Sequence, residues 1–458
     1  MVVYDTEVFP NCFLLCAGDT ETRKAKTFEI SDRRDDREVM FEYLRGLYRD
    51  RTWMVGYNNL AFDFPLLNYI LNNKAVTNEQ IFKYGEKLIK SDNMPFLKHT
   101  IPQIDLYRVN HFDNKAKMTS LKVLEFNMRM DNIEELPFEP GSILSSDDID
   151  VLRKYVKHDV KATADFLKVC EPQLAFRKEL STKYKRNFMN YNDVRIGKEI
   201  FVAALSKAGV QIKDERGNLR QTPREKVVVN DILLPYIQFN HPDLCRVHEE
   251  FKNLVIVNTK GDFKLSADLD GFVLDYGTGG LHGSLTDTLV ESDSEYVIEN
   301  RDVSSFYPNI AIKNRFYPEH LTETFCDTYQ WIYEERKKHK KGSAENAAYK
   351  LALNGTYGSS NSEFSPFYDP QFTMAITING QLLLSMLVEM VMQVETVEML
   401  NVNTDGLCYR VRRDMLQEVD KVCKAWENLT QLELEAEYYH RMYMRDVNSY
   451  VLSYEEQQ

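Results

Sequence analysis

The chain has 458 residues, long enough for two or three domains with substantial cores. Hydrophobic residues make up 43% and charged residues 28%, which excludes a disordered or fibrous chain. The net charge of −13 excludes tight non-specific coating of DNA, since phosphate affinity comes from Lys and Arg, but it is compatible with local basic channels beside clustered carboxylates.

Met1 to Val8 and Phe13 to Ala17 read as strands, followed by a charged turn from Asp32 to Arg37. Cys12 and Cys16 lie in this apolar region with no His nearby. The seven scattered cysteines therefore speak for reduced, buried thiols and against a zinc site. Met54 to Tyr57 reads as a further short strand, and Phe64 to Leu71 begins a helix. Residues 1–175 together predict a compact α/β domain. Residues 176–285 read as a connecting region that leads into a second domain, with a basic loop from Lys213 to Lys226.

From Tyr276 onward Gly, Asp and aromatic residues become dense. Glu295 to Asn300 is expected as a strand, Tyr329 to Lys341 and Ala344 to Leu353 as helices, and Met374 to Leu400 as one long helix with a weak point at Asn379-Gly380. Leu407 to Val411 alternates like a strand, and Met415 to Thr430 is periodic like a helix. This half predicts an α+β domain. The most apolar run, Leu382 to Met392, is too short to span a bilayer and contains Glu389, so it is expected as a core helix and no membrane association is expected. The first residues do not read as a signal peptide.

Two constellations carry chemistry. In the first, Asp5-Thr6-Glu7 places two acids at i and i+2 on a strand, pointing to one face. Asp63 follows Asn59-Leu60-Ala61-Phe62, and Asp159 lies one helical turn after Tyr155. Each acid alone is an ordinary surface charge. Brought together, Asp5, Glu7, Asp63 and Asp159 would repel one another unless divalent cations neutralised them, and two such ions can activate a water for phosphodiester hydrolysis.

In the second, Asp302 and Asp405 each sit beside a strand-like segment. If the strands are neighbours, the two carboxylates converge and can hold a pair of Mg²⁺ ions for in-line displacement at phosphorus. Between them, Arg336 and Lys340 are four apart on a predicted helix, and Lys350 opens the next one. These cations are either a solvated face or a phosphate clamp, and the segment Lys350-x3-Asn354-x2-Tyr357-Gly358 directly after them favours the clamp. The segment Tyr276-Gly277-Thr278-Gly279-Gly280-Leu281-His282-Gly283 has the glycine density of a phosphate nest but lacks a P-loop ending.

The ordered set Asp-x-Glu, Asn-x2-Phe-Asp and Tyr-x3-Asp resembles the three motifs of proofreading 3′–5′ exonucleases. Ser120-Leu121-Lys122-Val123-Leu124 resembles a Ser/Thr-Leu-x2-hydrophobic motif of phage family B DNA polymerases. Asp302-Val303-Ser304-Ser305-Phe306-Tyr307-Pro308, Lys350 to Gly358, and Asn403-Thr404-Asp405 resemble motifs A, B and C of the same family, in its order. The chain thus resembles a compact bacteriophage or viral family B DNA polymerase. The resemblance implies a ribonuclease H-like exonuclease domain (1–175), a connecting region and start of palm (176–285), palm segments (286–328 and 363–458) and short helical fingers (329–362). It also implies replication in a host cell's cytoplasm.

By this resemblance Asp5, Glu7, Asp63 and Asp159 bind metal and Tyr155 orients the attacking water. Thr6, Asn59, Phe62, Ser120 and Leu121 hold the single-stranded 3′ end. No residue matches the lysine that phage members use before the third motif. Asp302 and Asp405, with the Val303 carbonyl as an extra ligand, hold two Mg²⁺ ions, for which Mn²⁺ can substitute. Tyr307 lies under the incoming sugar. Arg336, Lys340 and Lys350 hold the triphosphate, and Asn354 and Tyr357 line the base-pair pocket. Tyr276, Gly279, Gly280, Gly358, Thr404 and Tyr450 contact primer-template DNA.

Two departures stand out. Asn403 replaces the first carboxylate of motif C, and Asn448 replaces the Lys of a Lys-x-Tyr primer-binding segment, with Arg445 nearby. From Asp302 to Lys350 is 48 residues, which does not accommodate the large insertion of protein-primed relatives, and from Lys350 to Asp405 is 55, which is tight for their second, so protein priming is disfavoured. Only 53 residues follow Asp405, so no thumb is expected within them, and three alternatives stay open: a thumb on another polypeptide, a thumb lost by truncation, or its place taken by a partner such as a processivity factor. Two other readings stay open: a catalytically weak DNA-binding or assembly subunit on a polymerase scaffold, and an exonuclease without synthesis.

Overall fold

The computed structural model describes all residues except 92–96, 98–99, 111–118, 262 and 455–458. The chain forms two compact units, Met1–Asp193 and Val194–Gln458.

The first unit is built on a six-stranded sheet of β1 (Val2–Phe9), β2 (Cys12–Asp19), β3 (Ala25–Ser31), β4 (Arg34–Asp35), β5 (Met54–Gly56) and β6 (Gln103–Asp105), in the order β4-β3-β2-β1-β5-β6. The hairpins β1–β2–β3 are antiparallel, whereas β5 and β6 run parallel to β1. Its helices are α1 (Arg37–Arg49), α2 (Asp63–Asn72), α3 (Asn78–Lys90), α4 (Leu106–Asn110), α5 (Leu121–Asn127) and α6 (Ser146–Tyr184). Strand alternation divides the core. Val2 and Tyr4 of β1 pack with Phe41 of α1, Leu67 of α2 and Ile81 of α3, whereas Val3 and Phe9 pack with Leu106 of α4 and Leu152 and Val156 of α6. Asp5 and Glu7 share the parity of Val3 and Phe9, so they face α6.

Helix α6 starts at a capping box in which Ser145 and Asp148 satisfy each other's backbone amides. It runs unbroken to Tyr184, where Lys185 turns left-handed. The expected domain end near 175 therefore falls inside a continuous helix, and the units divide at Asp193.

The second unit comprises α7 (Asp193–Lys207), β7 (Val227–Val228), α8 (Pro242–Lys252), β8 (Val255–Ile256), β9 (Leu265–Leu269), β10 (Phe272–Tyr276), β11 (His282–Ser284), β12 (Thr288–Glu291) and β13 (Tyr296–Val303). After these come α9 (Phe306–Asn314), α10 (Thr324–Lys338), α11 (Ala344–Ser359), α12 (Pro370–Met392), β14 (Glu398–Asn403), β15 (Gly406–Arg412), α13 (Leu416–Thr430), β16 (Leu434–Asp446) and β17 (Ser449–Tyr454). A nine-stranded sheet runs β12-β16-β13-β15-β14-β11-β10-β9, with β17 paired to β16. Helix α12 packs against α9 and α13, and Trp426 of α13 donates its indole N–H to the Leu383 carbonyl.

The expected helix Met374–Leu400 is two elements. Helix α12 ends at Met392, Thr396 adopts φ +71°, and the remaining apolar residues form β14. A short apolar run fits a buried strand as well as a buried helix, so periodicity does not reveal the break. Helix α12 is long and apolar enough to cross a membrane, yet nearly all of it is buried in the protein, as expected of a core helix. Its Glu389 Oε1 accepts from the backbone N–H groups of Asn240 and His241, at the start of α8.

Candidate active sites

In the first unit β1 and α6 bring Asp5, Glu7 and Asp159 together, with one carboxylate oxygen from each lying within 4.8 Å of the others. Tyr155 stands one turn before Asp159, hydrogen-bonded to it. Asp63 opens α2, and its Oδ1 accepts from Thr6 N (3.0 Å) and Thr6 Oγ1 (2.5 Å). The loop before Asp63 is held by Asp105 at the end of β6, whose carboxylate accepts from the Asn58 and Leu60 amides.

Burial, followed by repulsion from Asp63 and its neighbours, raises the Asp5 pKa well above the usual range. Burial and then Asp159 push Glu7 up to about 8. Burial raises Asp63 to about 6 against the opposing Thr6 bonds, and it raises Asp159 as well. Proton uptake thus stabilises the fold. That stability is present below the unfolded carboxylate values and is lost as pH rises through the folded ones. The melting temperature of the protein in chelator is expected to fall between about pH 5 and pH 8, and Mg²⁺ is expected to reverse the fall. Scanning fluorimetry across that range, with EDTA and with Mg²⁺, checks both.

Lys122, inside the Ser-Leu motif, belongs to this site although no motif singles it out. Its Nζ donates to Asp159 Oδ1 (2.7 Å) and Glu125 Oε1 (3.1 Å) and lies 4.8 Å from the centre of the Tyr155 ring. The available signal was the Lys122/Glu125 pair at i and i+3 inside the Ser-Leu motif. Several residues expected to hold a DNA end have other work. Asn59 is fully buried, its amide 2.9 Å from Gln103 Oε1 and 3.2 Å from the Tyr4 hydroxyl. Thr6 is buried against Asp63. Ser120 caps α5 by accepting from the Val123 amide. Phe62 and Leu121 are half-buried.

In the second unit one row of cross-strand partners carries the site. His282 pairs with Asn403, Asn403 with Gly406, Gly406 with Asp302, and Asp302 with Glu435, across β11, β14, β15, β13 and β16. Asp405 sits in the two-residue β14–β15 turn after Thr404, which has φ +63°, and its carbonyl accepts from Val303 N (2.8 Å). Burial and then Asp405 raise Asp302 to about 6, with Glu437 and Glu435 adding to the effect, and burial raises Asp405.

A Cβ at Gly406 would lie 1.9 Å from Asp302 Oδ1. Gly406→Ala is therefore expected to displace the Asp302 carboxylate and lower any metal-dependent activity of this site by on the order of 100-fold, with little change in melting temperature. Activity and melting curves of the variant check this. Gly280 similarly permits close approach, since its Cβ would meet Thr404 Oγ1 at 3.0 Å.

Glu435 is a second residue missed in the sequence. It faces Asp302 across the ladder and lines the same cavity, and the Glu435-x-Glu437 alternation on one strand face was its signal. Asn403 is occupied elsewhere, with Nδ2 donating to the Val447 carbonyl and Oδ1 accepting from Thr404 Oγ1.

The cavity above these acids has a volume of about 630 Å³ and is lined by Asp302, Val303, Ser305, Tyr307, Tyr333, Arg336, Lys337, Lys341, Lys350, Asn354, Tyr357, Asp405 and Glu435. The Tyr307 and Tyr357 ring centres are 4.4 Å apart, and Tyr357 Oη lies 2.8 Å from Thr377 Oγ1. Arg336 donates to Ser305 Oγ (3.3 Å), where Ser305 adopts φ +47° ahead of α9.

Lys340 does not line this cavity. Helix α10 ends at Lys338 and the chain is extended at His339, so the four-residue spacing from Arg336 no longer places Lys340 on the same face. Lys337 and Lys341 line it instead. Tyr276, expected against DNA, is buried, with its hydroxyl 2.7 Å from Ser385 Oγ. Tyr450 is exposed and lines a neighbouring cavity together with Asn300, Asp302, Asn403, Thr404 and Asp405. Gly279 and Gly358 have open space around them.

No family model matches the chain, and no curated protein matches it. Among solved structures the chain is similar to the family B DNA polymerase from the hyperthermophilic archaeon Pyrobaculum calidifontis, with a TM-score of 0.52 and 16% sequence identity. The match covers all of this chain and 59% of that polymerase, so the chain spans somewhat over half of its length. At this identity the likeness is one of fold.

Proposed function

We propose that this chain is a template-directed DNA polymerase of the compact phage or viral family B kind, with a 3′–5′ proofreading exonuclease in its first unit. The observation that carries the reading is Asp302 and Asp405 converging at one end of the nine-stranded sheet, beneath a cavity lined by Arg336, Lys337, Lys341 and Lys350. The likeness in fold to an archaeal family B polymerase supports it, as do six motifs in that family's order.

The donors at both sites are carboxylate oxygens, a set suited to Mg²⁺ or Mn²⁺, and buried acids with raised pKa values fit a missing positive charge. Two such ions, when bound, would lower the pKa of a primer 3′-hydroxyl and neutralise the triphosphate. The chain's residues do the rest. Asp302 and Asp405 would hold the ions, with Glu435 beside them. Arg336 and Lys350, with Lys337 and Lys341, hold β- and γ-phosphates in the cavity. Tyr307, its ring packed at a tilt against Tyr357, lies under the sugar and excludes a 2′-hydroxyl. Tyr307→Ala is accordingly expected to raise the use of rNTPs relative to dNTPs, read by single-nucleotide incorporation. In the first unit, read as ribonuclease H-like, Asp5, Glu7, Asp63 and Asp159 would hold the metal and Tyr155 would orient the water.

The neutral Asn403 in motif C favours one second reading, a catalytically weak DNA-binding or assembly subunit on a polymerase scaffold. Primer extension with all four dNTPs and Mg²⁺ separates the two, since the polymerase lengthens the primer and the assembly subunit does not.

A further inference from the structure

Glu125 sits on the seven-residue helix α5 with its side chain fully buried. Burying a carboxylate costs stability unless each oxygen finds a partner, and an apolar residue would join α5 to α6 more cheaply. Both oxygens are engaged. Oε1 accepts from Lys122 Nζ (3.1 Å), and Oε2 lies 2.9 Å from His158 Nε2. The other His158 ring nitrogen lies 3.9 Å from Glu134 Oε1. His158 precedes Asp159 on α6, and Lys122 reaches from α5 to Asp159 and over the Tyr155 ring. The ammonium is thus fixed from three sides: Glu125 beneath it, Asp159 beside it, and the ring of Tyr155.

We propose that Glu125, backed by His158, is a positioning residue of the first-unit site, one that holds the Lys122 ammonium against Asp159 and Tyr155. The proposal rests on the hydrolytic reading of that site. A long lysine side chain has many rotamers, and an ammonium free to leave would let Asp159 and Tyr155 lose their setting. With Glu125 in place, Lys122 keeps one positive charge at the rim of the four acids, where a phosphodiester backbone must come to rest. Glu125 itself touches no reacting atom and acts through Lys122.

Two readouts test this on the full chain. In chelator, lysine acetylation by acetic anhydride, followed by peptide mass spectrometry, is expected to show Lys122 protected in the wild type. E125Q is expected to make it several-fold more reactive with the other lysines unchanged, and E125D is expected to retain part of the protection. With Mg²⁺ and a single-stranded oligonucleotide, E125Q is expected to lower kcat about 10-fold with little change in KM. K122A is expected to lower kcat at least as much, and E125Q/K122A no further than K122A, because Glu125 has no other route to the site. A purely structural Glu125 would give multiplicative losses in the double variant and a lower melting temperature; that result, or unchanged Lys122 reactivity in E125Q, overturns the proposal. Wild-type degradation unaffected by Asp5→Ala/Glu7→Ala would instead overturn the hydrolytic reading itself.

Discussion

Asp405→Ala is expected to abolish primer extension, lowering its rate by on the order of 10³-fold or more while the melting temperature changes little. Asp405 lies in the turn that joins β14 to β15, outside both strands. Its backbone carbonyl, which accepts from Val303 N, is untouched by the substitution. The carboxylate faces Asp302 at the mouth of a cavity whose other walls carry Arg336 and Lys350. Removing it would leave Asp302 alone of the two acids that would hold the ions. Because burial raises the Asp405 pKa, its loss also removes a group whose ionised form is unfavourable in the folded protein without cations. Extension of a labelled primer, run beside a thermal melt, checks both halves.

Asp5→Ala/Glu7→Ala is expected to remove degradation of single-stranded DNA, again by on the order of 10³-fold or more, and to leave primer extension intact. These side chains share the β1 face toward Asp159, and both are held in a protonation-prone state by burial. Without them the cluster keeps Asp63, tied to Thr6, and Asp159, tied to Lys122. The double variant is also expected to be more stable than the wild type in chelator at pH 8, since two buried acids that oppose folding there are gone. Mg²⁺ is expected to stabilise the variant less than the wild type.

The acids of both sites were legible because each lies within a few residues of a distinctive neighbour: Glu7 after Asp5, Phe62 before Asp63, Tyr155 one turn before Asp159, Tyr307-Pro308 after Asp302. Strand and helix periods place such neighbours without knowledge of the tertiary fold. Contacts set by register were less accessible. Glu435 meets Asp302 only because β16 pairs with β13, and 133 residues of sequence separate them. Lys122 meets Asp159 only because α5 packs on α6. Burial also reassigns residues that motif reasoning places at the surface. Tyr276 and Asn59 belong to the interior, where a buried polar group must find a partner, and they find Ser385 and Gln103. Helix ends also escape periodicity. A four-residue spacing sets Lys340 beside Arg336 only within a helix, and α10 ends two residues too soon. Thr396 marks a similar break between α12 and β14, at a residue type that gives no warning of a left-handed backbone.

The most direct test of synthesis uses Asp5→Ala/Glu7→Ala protein, in which degradation cannot mask extension, on a labelled primer-template with Mg²⁺ and one dNTP at a time. The expected result is addition of the nucleotide complementary to the next template base and of no other, and loss of that addition when Asp302→Ala or Asp405→Ala is added. Failure to add any nucleotide, or addition that ignores the template or survives both substitutions, would contradict it.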